Sequence, residues 1–230
     1  PPRFQLITDD QALLDVCEQA RTQSAVALDT EFIRVRTLHP KLGLIQLYAG
    51  DEVALIDPTT IQDFSPFIAL LADESVLKVL HACGEDLEVF QHYFAQLPQP
   101  MCDTQVMANF LGFAGSAGFA TLVQHYFHIE IDKGASRTDW LARPLSEIQL
   151  RYAAADVWYL LPLYAQMQIQ LEQTEWQSAV KNECEFLLNK RAHAVKNPDT
   201  AYVAIPNAWK LNPLELMRLK LLAKWRMEEA

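Results

Sequence analysis

No run of residues in this sequence approaches the roughly 20 consecutive apolar residues that a membrane-spanning helix needs. The first residues lack the basic-then-apolar pattern of a secretory signal. Cysteine is sparse: Cys17, Cys83, Cys102 and Cys184 lie far apart, without zinc or redox spacing. They are expected as reduced thiols, and the protein as a cytoplasmic monomer with no membrane partner. A glycine-rich phosphate loop is missing, and so is a nucleophilic-serine signature, which argues against nucleotide-loop and serine-hydrolase chemistry. Internal repeats and low-complexity tracts are also missing.

Positive charge is scarce too. The 19 Lys and Arg face 29 Asp and Glu, for a net charge of −10. Residues 181–230 carry nine basic and six acidic residues, so +3, which leaves −13 on residues 1–180. That predicts weak non-specific binding of polyanions by the first 180 residues, without excluding a polyanionic substrate. What is abundant is apolar surface: 50% of the residues are hydrophobic, enough for a sizeable core.

The pattern predicts strands over residues 4–7, 26–32, 42–48, 53–56 and 77–81, with a hairpin turn at Ala49-Gly50-Asp51-Glu52. Helices are expected over 8–21, 65–71, 85–94, 104–111 and 120–127, then from Leu145 onward with Ser146 as cap. Pro162 should bend or break that last helix, and another is expected over 172–194. A linker opens at Lys196-Asn197-Pro198-Asp199 and closes at Pro206-Asn207. Beyond it, residues 213–227 read as amphipathic helix, so a truncated all-helical segment is expected at the end of the chain. Strands early and helices later make an α/β fold, a mixed sheet flanked by helices.

Three acidic motifs carry the chemistry. In a strand, residues two apart share a face, so Asp29 and Glu31 point the same way, with only Ala25 and Ala27 behind them. His81-Ala82-Cys83-Gly84-Glu85-Asp86 reads as a strand end turning into a helix, and spacing does not decide whether Glu85 or Asp86 faces inward. In a helix, Tyr152 and Asp156 sit one turn apart, and Ala153, Ala154 and Ala155 leave little bulk beside them. Taken singly, these are a strand end, a helix cap and a core tyrosine. Taken together they would form a hard-cation site with a phenol beside it, suited to metal-assisted phosphodiester hydrolysis. His125 and His128 are a weaker metal candidate for want of partner ligands. Arg34, Arg36, Lys41, Lys133, Arg137 and Arg143 are candidate phosphate contacts or solvated charges, and Phe32 and Trp140 are base-stacking or core residues.

The stretches LDTEFIRVRT, LGLIQLYAGDEVALIDP, HACGEDLEVF, SRTDWLARPL and RYAAADVWYLLPLY resemble bacterial ribonuclease D, in the tyrosine-containing branch of the DEDD exonucleases. The resemblance runs from Phe4 to about Lys196, and residues 207–230 resemble the opening of the helical domain shared by RecQ-type helicases and ribonuclease D. It implies a ribonuclease-H-like exonuclease domain over residues 1–196, a linker over 197–206 and the start of a helical domain over 207–230. It also implies a 3′→5′ exoribonuclease that trims tRNA precursors with two Mg²⁺ or Mn²⁺ ions. Asp29 would bridge both ions, Glu31 and Asp156 would hold the one that activates water, and Asp86, rather than Glu85, would serve the other. Tyr152 would orient the water; Thr30, Phe32 and Gln46 would lie near the terminal nucleotide, and Arg137 near a phosphate. A DNA exonuclease of the same superfamily and a catalytically silent RNA-binding module are the competing readings.

Overall fold

Alternation of apolar side chains along the strands builds the centre of the molecule. The computed structural model describes residues 1–35, 37–194 and 197–229; Arg36 and Lys196 lie outside the described residues. Six strands form one mixed sheet: β1 (Phe4–Ile7), β2 (Ala25–Ile33), β3 (Lys41–Tyr48), β4 (Val53–Ile56), β5 (Leu77–Leu80) and β6 (Met101–Asp103). Their order is β1-β4-β3-β2-β5-β6. The β2–β3 and β3–β4 pairs are antiparallel, and β1–β4, β2–β5 and β5–β6 are parallel.

One face of the sheet presents Val26, Leu28, Ile45, Leu47, Ala54 and Ile56. These pack against α1 (Asp10–Ala20), α2 (Ser65–Ala72), α3 (Gly84–Phe94), α4 (Thr104–Phe110), α7 (Leu160–Leu171) and α8 (Gln177–Ala192). The other face presents Ala27, Leu44, Tyr48, Val53, Leu55 and Val79, covered by Trp140 and by Ala153, Ala154 and Val157 of α6 (Glu147–Trp158). The alanine run of α6 is what lets this helix lie close to the sheet. A capping box formed by Ser146 and Gln149 starts α6, as expected of that serine. The helix gives way to α7 at Tyr159, three residues before Pro162, so the proline stands in the first turn of α7, where its missing N–H costs least.

Two expectations need correcting. The helix predicted from residue 172 begins only at Gln177, because residues 172–176 are a turn that separates it from α7. Strand β6 was not anticipated: three residues after a Gln99-Pro100 pair offer no alternation to read. Two short 3₁₀ turns follow α8, Ala201–Ala204 within the expected linker and Ala208–Lys210 beyond it, and α9 (Pro213–Glu228) packs against both.

Candidate active site

The site lies past the last β2–β5 pair, Ala27 with Val79, where the flank of β2 is no longer covered by a neighbouring strand. Asp29 and Glu31 project from β2 toward α6, and Asp156 projects back from that helix. One carboxylate oxygen from each of Asp29, Glu31 and Asp156 lies within 4.8 Å of the other two. Asp86 comes from the opposite layer. Thr30, whose side chain leaves β2 on the other face, donates its hydroxyl to Asp86 Oδ1 and so ties α3 to the strand between Asp29 and Glu31. The ambiguity at the start of α3 is thereby resolved: Asp86 is buried at 6% exposure, whereas Glu85 is exposed and faces Arg34.

Like charges at such spacing repel. At an effective dielectric constant of about 20, two charges about 4.8 Å apart cost about 3.5 kcal/mol. Among the described residues no Lys or Arg pairs with any of these four acids. Burial first, and Asp156 second, hold Asp29 well above the ordinary carboxylate range. Burial, Asp29, Asp156 and Asp86 push Glu31 up to about 10, opposed by Gln46. Burial and Asp29 raise Asp86 well above its usual value against the Thr30 hydrogen bond. Burial likewise takes Asp156 up to about 7, with the Tyr152 hydroxyl opposing. A metal-free cluster of this kind retains protons at neutral pH. It is a set of hard oxygen donors short of positive charge, and the donor set fits divalent cations.

The remaining expected residues fall as follows. Tyr152 stands over Asp156, its phenol raised by burial and by the surrounding carboxylates, and its ring packs on Trp140 at 6.1 Å between centroids. Gln46 is the cross-strand partner of Asp29, fully buried, and donates Nε2 to Glu31 Oε1 at 3.2 Å. Phe32 is half-buried beside the irregularity where β3 inserts Gly43 opposite the Glu31/Phe32 step. Arg137 is exposed in the segment before α6 and makes no ion pair among the described residues. Trp140 is buried at 1% exposure, so its surface is core rather than a stacking platform. Arg143 is committed to the fold, with both Asp57 carboxylate oxygens at 2.9 Å and the carbonyls of Trp140 and Gly43 at 2.8 and 2.6 Å. Arg34 pairs with Glu88. His125 lies against Phe113 and Tyr126, and His128 ends α5 (Phe119–Phe127) in left-handed backbone, so the two share no metal geometry.

Residues 4–172 match the model of a family described as 3′-5′ exonuclease. The chain belongs to that family. Over its whole length it is 60% identical to Ribonuclease D of Haemophilus influenzae, of which it covers 58%. The crystal structure of Escherichia coli RNase D, an exoribonuclease involved in structured RNA processing, superposes with a TM-score of 0.91 at 50% identity, covering 99% of this chain and 60% of that one. Brucella melitensis NrnC with bound Mg²⁺ superposes with a TM-score of 0.70 at 27% identity, covering 82% of this chain and 90% of that one. The resemblance to ribonuclease D and the expected ribonuclease-H-like mixed sheet are therefore borne out. The chain spans about 60% of the length of the ribonuclease D relatives it matches.

Proposed function

We propose that this chain is the catalytic part of a 3′→5′ exoribonuclease that removes 5′-mononucleotides from RNA 3′ ends with two Mg²⁺ or Mn²⁺ ions. The observation that carries the reading is the convergence of Asp29, Glu31 and Asp156, from two elements, with oxygens within 4.8 Å and no basic partner among the described residues. Asp29 would serve both ions, Glu31 and Asp156 one of them, and Asp86 the other. Divalent ions bound there supply the charge that relieves the cluster and polarises the attacking water and the leaving oxygen.

The chain's own residues do the positioning. The Tyr152 phenol, raised from its ordinary value, keeps its proton and orients water by hydrogen bonding rather than by abstracting a proton. Phe32 offers an edge to the terminal nucleotide, and Arg137 a charge to a phosphate. Thr30 and Gln46 would lie close to the same nucleotide, the Thr30 hydroxyl already given to Asp86 and the Gln46 Nε2 to Glu31. The identity with ribonuclease D supports RNA as substrate, and within that class we assign tRNA precursors with 3′ extensions, acted on by a cytoplasmic monomer. Among the described residues no helix is long and apolar enough to cross a membrane. Residues 1–196 would be the exonuclease domain, 197–206 a linker and 207–230 the start of a helical domain.

A time course on RNA labelled at its 5′ end tests this, with Mg²⁺, with EDTA, with Asp29→Asn and with a matched DNA strand. The expected result is stepwise shortening from the 3′ end, on RNA only, lost with EDTA and in the variant. Equal digestion of DNA would move the assignment to a DNA exonuclease. RNA binding without products from the folded wild type would make the chain a binding module.

A further inference from the structure

Asp86 is delivered by the first turn of α3, which has no side-chain cap of its own: its N-cap residue, Cys83, makes no such bond. The preceding Ala82 has φ of +53°, left-handed backbone that an alanine adopts at a cost. Beside the Thr30 bond to Asp86, the turn before α3 is held from another element. Asp103, the last residue of β6, is 3% exposed, and its carboxylate accepts three backbone N–H groups: Ala82 at 3.0 Å, Cys83 at 2.9 Å and Gln105 at 2.8 Å. Next door, the Thr104 hydroxyl lies 2.8 Å from His81 Nδ1 and donates to the Leu80 carbonyl at 3.3 Å. The β6–α4 corner thus grips the whole β5–α3 turn.

We propose that Asp103 is a positioning residue of the active site, which sets the height and direction of Asp86 by clamping the left-handed turn before α3. This rests on the reading of Asp86 as a metal ligand. Asp103 touches neither the cluster nor any group placed near substrate; it acts through the backbone. A carboxylate is needed because one oxygen accepts from both Ala82 and Gln105 while the other accepts from Cys83. In Asp103→Asn one of those N–H groups would face an NH₂ donor, with no change of volume.

The test is Mn²⁺ binding to RNA-free protein, followed by the loss of the free-ion electron paramagnetic resonance signal, alongside kcat and KM on RNA. Asp103→Asn is expected to weaken Mn²⁺ binding by about ten- to a hundredfold, as loss of an outer-shell partner does, and to lower kcat with KM unchanged. Acting through Asp86, it should add nothing in the double variant: Asp86→Asn/Asp103→Asn should bind Mn²⁺ no more weakly than Asp86→Asn alone. If Asp103→Asn does not fold, Ala82→Val carries the test. Ala82 is exposed, and a β-branched residue resists left-handed backbone, so the same loss of Mn²⁺ binding is expected, while Ala82→Gly should bind as wild type. Unchanged Mn²⁺ binding in both Asp103→Asn and Ala82→Val, or additive losses in the double variant, would overturn the proposal. Unchanged binding in Asp86→Asn alone would instead overturn the reading of Asp86 itself, and Asp103 would fall with it.

Discussion

At the scale of single residues, the four acids are less informative than the neutral groups that hold them. Gln46 gives Glu31 its one described side-chain hydrogen bond, and its own Oε1 is buried without a partner. Gln46→Leu would remove both at once. Burying one fewer orphaned oxygen offsets the lost bond, so stability should change by less than about 1 kcal/mol in urea unfolding. Glu31 would hold its proton more tightly still, and the Mn²⁺ concentration for half-maximal activity should rise most at the acid end of the pH range. A pH-independent loss would mean that Gln46 acts on substrate instead. Tyr152→Phe makes the complementary case. It keeps the ring packed on Trp140 but removes the hydroxyl that opposes the rise of Asp156. We expect kcat to fall about a hundredfold through misplaced water, with KM retained, and the acid limb of the pH–rate profile to move to higher pH. An unmoved acid limb would disconnect the phenol from Asp156.

At the scale of elements, the placement of α6 depends on a junction remote from the carboxylates. The bulge of β3 puts Gly43 under Trp140, where an added Cβ would stand 2.5 Å from the Trp140 carbonyl oxygen and 2.8 Å from its Cβ. Arg143 then bridges the Gly43 and Trp140 carbonyls to Asp57. Gly43→Ala must push this junction off the sheet and carry Tyr152 with it. A cost of about 1–3 kcal/mol, measured by urea unfolding, should accompany a fall in kcat. Stability lost with kcat intact would show that α6 is held by its alanine face alone. Arg143→Ala should cost more, about 3–5 kcal/mol, because it leaves Asp57 buried without its partner.

Much of this architecture was legible in the sequence for a physical reason. The apolar strand runs, the Ser146 cap and the Pro162 break are local signals, and so is the two-residue spacing that put Asp29 and Glu31 on one face. What was not legible depends on contacts between distant segments. Nothing local distinguishes Asp103 from any helix cap, and its hold on Ala82 and Cys83 spans about twenty residues. Arg143 read as a candidate phosphate contact because its partner Asp57 lies 86 positions away. Which of Glu85 and Asp86 turns inward depends on contacts from distant segments, the Thr30 hydroxyl of β2 among them.

At the scale of the whole molecule, the negative excess of the first 180 residues gathers in part at one buried place, and that couples folding to pH. The carboxylates there have folded-state values above their unfolded ones, so the native state keeps protons that the unfolded chain has already released. The cluster's contribution to stability is therefore greatest below the unfolded value, near pH 4, and is lost as pH rises: through about 7 for Asp156 and on toward about 10 for Glu31. His81, held neutral first by burial, works in the opposite direction, but only below its ordinary value of 6.5. Buried thiols such as Cys17, raised by burial to about 12, come into play only above their ordinary value of 9.0. Lys78, brought down to about 8 by burial, opposes the cluster from there upward, so the carboxylates should dominate the slope between about pH 7 and about pH 8. Divalent ions compete with those protons, so they bind more tightly as pH rises and stabilise by mass action. Thermal unfolding in EDTA should show Tm falling across this window, while saturating Mg²⁺ flattens the curve and the gap between the two widens with pH. Asp156→Asn should shrink that gap and remove the part of the EDTA slope nearest neutrality. EDTA and Mg²⁺ curves that run parallel, in a protein that still folds, would mean that the cluster does not take up divalent ions and that its buried charge is balanced in some other way.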